Sequence, residues 1–310
     1  MDASIPLIDL AGDSFEQRVD AIAAACRDIG FFAVVGHGVD DDLRLDMLAQ
    51  ARRFFALPLD RKRALAIERS AHHRGYAGIG EEQLEPGIDA DVKETLDFGL
   101  ERAEDDPDRS PLEGPNQWPD LPGFREVVER YQDAALETAR TTLRHIAAGL
   151  GQPVAFFDDR LDRPLVGARM VHYPPVPQQV IDHQLGCGAH SDYGCLTVLS
   201  TDGTPGLQLQ QLDGSWLDVL VDDGAFVINL GDLLARWTNG RYRSTKHRVI
   251  SPASGHRYAV PTFVNPNYDV LVECLPSCLG PGERPQHEPV TSGGYLQSRF
   301  DDTFAYRAAD

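Results

Sequence analysis

The chain changes its rhythm about halfway along. In the first part, helical and strand-like spacings alternate. Residues 5–9 read as a short opening strand, and residues 14–29 carry apolar positions at helical spacing, with Ser14 placed as N-cap and Gly30 as stop. Phe31-Phe32-Ala33-Val34-Val35 is a continuous apolar run, the pattern of a buried strand, closed by the Gly36-His37-Gly38 turn. A second helix is expected over 40–56, and Pro58 stands where a third would begin. The stretch 101–123, rich in Pro and Asp, reads as a surface excursion rather than a folded element. A long amphipathic helix is expected over 124–149, ended by Gly149 or Gly151. From about residue 165 the pattern becomes short β-type runs (LVGARMVHY, CLTVLS, GLQLQQ, SWLDVL, AFVINL, HRVIS and RYAVPTFV) between Gly, Pro and Asp turns. Many short strands with turn signals predict a sandwich or barrel. The reading is an α+β chain with a mainly β core. An α/β N-terminal region, 1–120, packs on a region 121–310 holding the long helix, the strands and a C-terminal extension, the two acting as one functional domain.

Composition narrows the class. The chain has 310 residues, 42% of them hydrophobic and 25% charged, with a formal net charge of −19. Phosphate binding needs clustered Lys and Arg, so this balance argues against a nucleic-acid partner. No run approaches the roughly 18–20 apolar residues of a membrane span. The acidic start, MDASIPLIDLAG, lacks the basic and apolar regions of a signal peptide, which makes a cytoplasmic location the default. The odd count of five cysteines reads as reduced thiols, and Cys274-x3-Cys278 has no second pair at zinc-site spacing.

The candidate chemistry centres on His190-Ser191-Asp192. Side chains at i and i+2 of an extended strand share a face, so His190 and Asp192 can address one point. A second imidazole from a distant strand, His247, would complete two histidines and a carboxylate, a facial set that leaves coordination positions open. Arg257 lies ten residues further, inside RYAVPTFV; a charge interrupting an apolar strand is costly unless paired, so a carboxylate partner is expected. Blander readings apply elsewhere. His72-His73-Arg74 is expected to be a solvated loop, Lys93–Phe98 a structural strand with Phe98 a weak pocket candidate, and Tyr173 and Phe300 can be core aromatics. His37 and His183 have no partner spacing. His172 should point away from Tyr173, and Cys187 and Cys195 merely flank the His-x-Asp motif.

The run of motifs IPLIDL, GFFAVVGHGV, RGYAGIG, KETLDFG, MVHYPP, GAHSDYGCLTVLS, GLQLQ, FVINLGDLLARWTNGRYRSTKHRV and RYAVPTFVNPN resembles the isopenicillin N synthase-like branch of the iron(II)/2-oxoglutarate-dependent dioxygenases. The resemblance implies a distorted double-stranded β-helix (jelly roll) flanked by helices. It implies Fe(II) held by His190, Asp192 and His247, with 2-oxoglutarate and O2 as co-substrates. Arg257 would hold the distal carboxylate of 2-oxoglutarate, and Tyr173 would hydrogen-bond to it. It further implies hydroxylation or desaturation of a small-molecule C–H bond with release of succinate and CO2; a monomer is the default for a chain of this size, and charge and the lack of a long apolar run argue against nucleic-acid and membrane partners. Asn229-Leu230-Gly231-Asp232 matches a core strand and turn of structural character. Two positions depart from the pattern. The usual Arg-x-Ser is here Arg257-Tyr258-Ala259, and Val171 stands where relatives often carry Asn. A lost hydrogen bond to a charged carboxylate costs on the order of 1.5–3 kcal/mol. A 2-oxoglutarate-independent iron oxidase of the same fold, performing oxidative cyclisation, is the alternative these changes feed. A non-catalytic jelly-roll binding module is a further one, which would predict broken metal ligands.

Overall fold

The computed structural model describes residues 5–85, 87, 89–177 and 185–303. His183 lies outside them. Strand β1 (Leu7–Asp9) leads into helix α1 (Phe15–Asp28), which starts at a capping box: Ser14 accepts from the Gln17 N–H while the Gln17 side chain accepts from the Ser14 N–H. Strand β2 (Phe31–Val35) is followed by α2 (Asp41–Phe55), capped by Asp40, and by the short α3 (Leu59–Arg63) after Pro58. The long helix, α4 (Phe124–Gly149), buries Phe124, Val128, Tyr131, Ala135, Ala139, Leu143 and Ile146, a stripe at helical spacing.

Two packed sheets form the core. The larger joins β1 and β2 to β3 (Gly75–Ala77), β4 (Glu94–Gly99), β5 (Leu165–Tyr173), β7 (Leu196–Thr201), β10 (Phe226–Leu230) and β12 (Arg257–Asn265), in the order β1-β2-β10-β7-β12-β5-β4-β3. The smaller runs β6 (Cys187–His190), β11 (His247–Val249), β8 (Leu207–Gln210) and β9 (Trp216–Asp218). α4 lies across β12, β7 and β5, with α1 and α2 packed on it. Both faces of the large sheet are therefore covered, and its strands alternate between two cores. Phe32 and Val34 face the helices, while Phe31 and Ala33 face the smaller sheet with Val171, Tyr173, Leu209, Val227 and Ala259. This double burial is why β2 reads as an unbroken apolar run.

The two-sheet core is the jelly roll the sequence implied. The structure adds helix α5 (Asp232–Trp237) directly after Asn229-Leu230-Gly231, where a turn was expected, and a C-terminal helix α6 (Ser292–Thr303). Among the described residues, no helix is long and apolar enough to cross a membrane.

Candidate metal centre and the cavities beside it

Pairing of β11 with β6 sets His247 directly opposite His190, with ring centroids 4.3 Å apart. Each ring is fixed by its own chain. His190 Nδ1 lies 2.8 Å from the Gly188 carbonyl oxygen, and His247 Nδ1 lies 3.2 Å from that of Thr245. A carbonyl only accepts, so both Nδ1 atoms carry the proton and both Nε2 atoms present a lone pair. Asp192 stands just past the end of β6 rather than on it. Its Oδ2 accepts from Thr197 Oγ1 and from Asn229 Nδ2 (2.7 Å), while Oδ1 lies 3.8 Å from both Nε2 atoms. One ligand atom from each of the three residues falls within 4.8 Å of the others, a grouping that can hold a metal ion. The donor set fits a divalent iron: two neutral imidazoles and one carboxylate, each with its second polar atom tied to the protein. Burial, with His190 beside it, pushes the His247 pKa down to about 4, so its lone pair is available at neutral pH. Burial alone would raise the Asp192 carboxyl, but His247, His190 and its hydrogen bonds bring it below the ordinary range. Burial pushes the neighbouring Cys187 thiol up to about 12, which disfavours a thiolate ligand there.

The cavity that holds these three residues continues along β5 and β12 to Arg257 and Tyr173, which face each other across the two strands. Arg257 is 2% exposed, stands 5.0 Å over the Tyr173 ring, and donates from Nε to the Thr204 carbonyl at 3.1 Å. Its buried Nη1 has no hydrogen-bond partner among the described residues. A buried guanidinium with an unused donor suits a ligand carboxylate. The two departures noted above prove to be one spot: Ala259 pairs directly with Val171, and both line this cavity as an apolar patch beside Arg257.

Residues 5–121 match the family model described as "non-haem dioxygenase in morphine synthesis N-terminal", and residues 166–266 match that of the "2OG-Fe(II) oxygenase superfamily". A 2-oxoglutarate-Fe(II) type oxidoreductase of Emericella nidulans, hxnY, is 38% identical over 308 residues, covering 94% of this chain and 88% of that protein. The chain belongs to the 2-oxoglutarate/Fe(II) oxygenases. It is a non-haem dioxygenase that uses Fe(II), 2-oxoglutarate and O2. A homoarginine-6-hydroxylase of Arabidopsis thaliana is 34% identical, covering 96% of this chain and 93% of that protein. A Neurospora crassa protein solved in complex with alpha-KG and thymine superposes with a TM-score of 0.83 at 30% identity, covering 96% of each chain.

A second cavity of this oxygenase opens on the other side of His190 and Asp192, with an empty volume of about 1070 Å3 including its mouth. Here several expectations are corrected. His72, His73 and Arg74 are buried and line the cavity instead of forming a solvated loop. Arg74 donates to the carbonyls of His72, His73 and Leu112, and its guanidinium fills the place a Cβ at Gly99 would take. His73 adopts a left-handed φ of 57° and stacks on Phe300 at 4.7 Å. The 101–123 excursion contains no helix or strand, yet Leu112 and Glu113 are buried in the cavity wall and Trp118 stacks on Phe98. Phe98 and Phe300 both line the cavity.

The interior of the jelly roll carries a ladder of charge. Arg169 Nε donates to Asp97 Oδ1 at 2.7 Å and its Nη1 to Glu82 Oε2 at 3.1 Å; Lys93 Nζ lies 3.0 Å from Glu82 and 2.5 Å from Asp91. Asp91 Oδ1 then accepts from the Gly188 N–H, beside the carbonyl that holds His190. Burial would discharge Glu82, but Arg169 and Lys93 hold it down to about 2. Burial likewise opposes the Lys93 ammonium, and Cys187, Glu82 and Asp91 outweigh it, keeping its pKa above the ordinary value. At the far end burial wins, and the Asp97 carboxyl is raised. The sequence reading took 93–98 as a plain structural strand. The available signal was its alternation: Lys93, just before β4, and Thr95 and Asp97 on it fall two apart in a run that is buried throughout.

Proposed function

We propose that His190, Asp192 and His247 are the iron ligands of this oxygenase, that Arg257 and Tyr173 hold 2-oxoglutarate, and that the reaction oxidises a C–H bond of a small molecule by hydroxylation or desaturation. The observation that carries this reading is one cavity containing three convergent ligand atoms and a buried arginine with an unused donor. Iron with 2-oxoglutarate, when bound, supplies the activation of dioxygen. The chain's own residues set the geometry. The Gly188 and Thr245 carbonyls keep both Nε2 atoms turned inward. Thr197 and Asn229 occupy one oxygen of Asp192 and leave the other for the metal. Arg257 neutralises the distal carboxylate in a charge-assisted pair, with Tyr173 beneath it. The larger cavity on the other face of His190 and Asp192 receives the substrate.

A relative named for homoarginine and a structural neighbour solved with thymine support a compact small molecule as substrate. The net charge of −19 supports the absence of a nucleic-acid partner. A cytoplasmic monomer without membrane attachment, the isopenicillin N synthase-like branch, and a division near residue 120 into two regions acting as one domain complete the reading. Pairing of β2 with β10 in one sheet supports that unity.

His247→Ala tests the assignment. Metal analysis should find the iron lost, and succinate formation should fall to background. Retained iron with full turnover contradicts the proposed ligand set.

A further inference from the structure

Arg169 lines both cavities, and Asp97 lines the larger one with it. Their surroundings fix the charge a substrate meets there. The ladder contains three carboxylates, Asp97, Glu82 and Asp91, against two cations, Arg169 and Lys93, so it has no cation to spare. Of the other charged residues in the same wall, Arg74 spends Nη1 and Nη2 on three main-chain carbonyls, and Glu113 faces Arg102 at 3.3 Å. A carboxylate pushed into this wall would meet Asp97, while Arg169 is already shared between Asp97 and the Glu82 behind it. A group bearing N–H would meet acceptors. Asp97 Oδ1 is taken by Arg169, but among the described residues Oδ2 receives only a long contact from Thr95 Oγ1 at 3.3 Å. A carboxylate offers about four acceptor sites, and a guanidinium five N–H donors, of which Arg169 commits those on Nε and toward Glu82. The pair thus presents an acceptor and a donor side by side, framed by Phe98, Phe263 and Phe300.

We propose that Asp97 and Arg169 are the substrate-recognition pair of this oxygenase, and that the group they recognise carries N–H (an amide, ammonium or guanidinium) rather than a carboxylate. The inference rests on the reading that the larger cavity receives the substrate. Asp97 Oδ2 takes the N–H and an Arg169 N–H takes a neighbouring acceptor. Glu82 and Lys93 hold the guanidinium in place from behind.

The test uses the full chain loaded anaerobically with Fe(II) and 2-oxoglutarate. Calorimetric titration with thymine, homoarginine and phenylacetate reads binding directly. Thymine or homoarginine should bind and phenylacetate should not, and Asp97→Asn should weaken homoarginine binding by about ten- to a hundredfold. Phenylacetate binding as tightly as either N–H probe overturns the proposal. So does failure of both N–H probes, or an Asp97→Asn protein of unchanged affinity. If Asp97→Asn does not fold, as judged by its melting curve, the order of the three probes on the wild-type protein still decides. Succinate formation dependent on Fe(II) and 2-oxoglutarate, measured on that wild-type preparation, separates the two readings. Its absence contradicts the site assignment, whereas its presence with the wrong probe order overturns the recognition pair alone.

Discussion

Arg257, fully buried, and Arg169, its side chain 13% exposed, stand on neighbouring strands, β12 and β5, yet they are held in opposite ways. Arg169 has two carboxylates of its own, Asp97 and Glu82. Arg257 has a single main-chain carbonyl and a buried Nη1 with nothing to meet among the described residues. The same contrast separates the metal corner from the charge ladder. At the metal corner each side chain ties down one polar atom and leaves one open, whereas the ladder satisfies most of its charge internally. Groups that await a ligand are recognisable by an atom left open, Nη1 of Arg257 at one site and Oδ2 of Asp97 at the cavity end of the ladder, and the rest of the ladder shapes the cavity by its closure.

The strongest way to break this comparison is to open the ladder. Lys93→Met leaves Glu82 and Asp91 buried without their shared cation and should cost about 3–5 kcal/mol in denaturant unfolding. A loss under about 1 kcal/mol would show that the ladder relaxes or hydrates freely. Its pH dependence has a defined sign. Glu82, held down to about 2, contributes stability that is full above its ordinary value of 4.5 and is lost as the pH falls toward 2. Asp97, raised, works the other way: its contribution is full at low pH and declines as the pH rises through its elevated value. Acid unfolding of the wild type should therefore steepen below 4.5, and the Lys93→Met protein should lose part of that step, Arg169 still facing Glu82.

A second prediction concerns the closed side of the metal corner. Asn229→Ala removes one of the two donors to Asp192 Oδ2 and should weaken iron binding by about ten- to a hundredfold. An unchanged iron titration would mean that Thr197 alone orients the carboxylate. The smallest effect is expected at the apolar patch opposite Val171. Ala259→Ser adds a hydroxyl two residues from Arg257 on the same strand face. It should tighten 2-oxoglutarate binding by roughly fivefold, the worth of one ordinary hydrogen bond. No change would show that the hydroxyl cannot reach bound 2-oxoglutarate.

How much was legible in the sequence follows the same division. His190, Asp192 and His247 were identifiable because spacing and neighbouring motifs mark them, although Asp192 owes its placement to Thr197 and Asn229 rather than to strand alternation. The α1 cap at Ser14, the buried run of β2 and the stripe of α4 were legible because helix and strand periods are local. The larger cavity was not. His72–Arg74, residues 112–113 and Phe300 reach it from separate parts of the chain, and no local period records that Gly99 and Gly114 make room for Arg74 and His72. The ladder sits between these cases: its alternation was visible, but its partners Glu82 and Arg169 lie eleven and seventy-six residues from Lys93. Val171 and Ala259 were each noted as single departures. Only the β5–β12 register makes them one patch.

The most direct test of the open-atom account is an anaerobic titration of the Fe(II)-loaded protein with 2-oxoglutarate, followed by its visible metal-to-ligand charge-transfer band, on the wild type and on Arg257→Ala. The account predicts a saturable band in the wild type and the same band in Arg257→Ala at a 2-oxoglutarate concentration higher by about ten- to a hundredfold, with iron content unchanged. Superimposable titrations, or no band in the wild type despite bound iron, would contradict it.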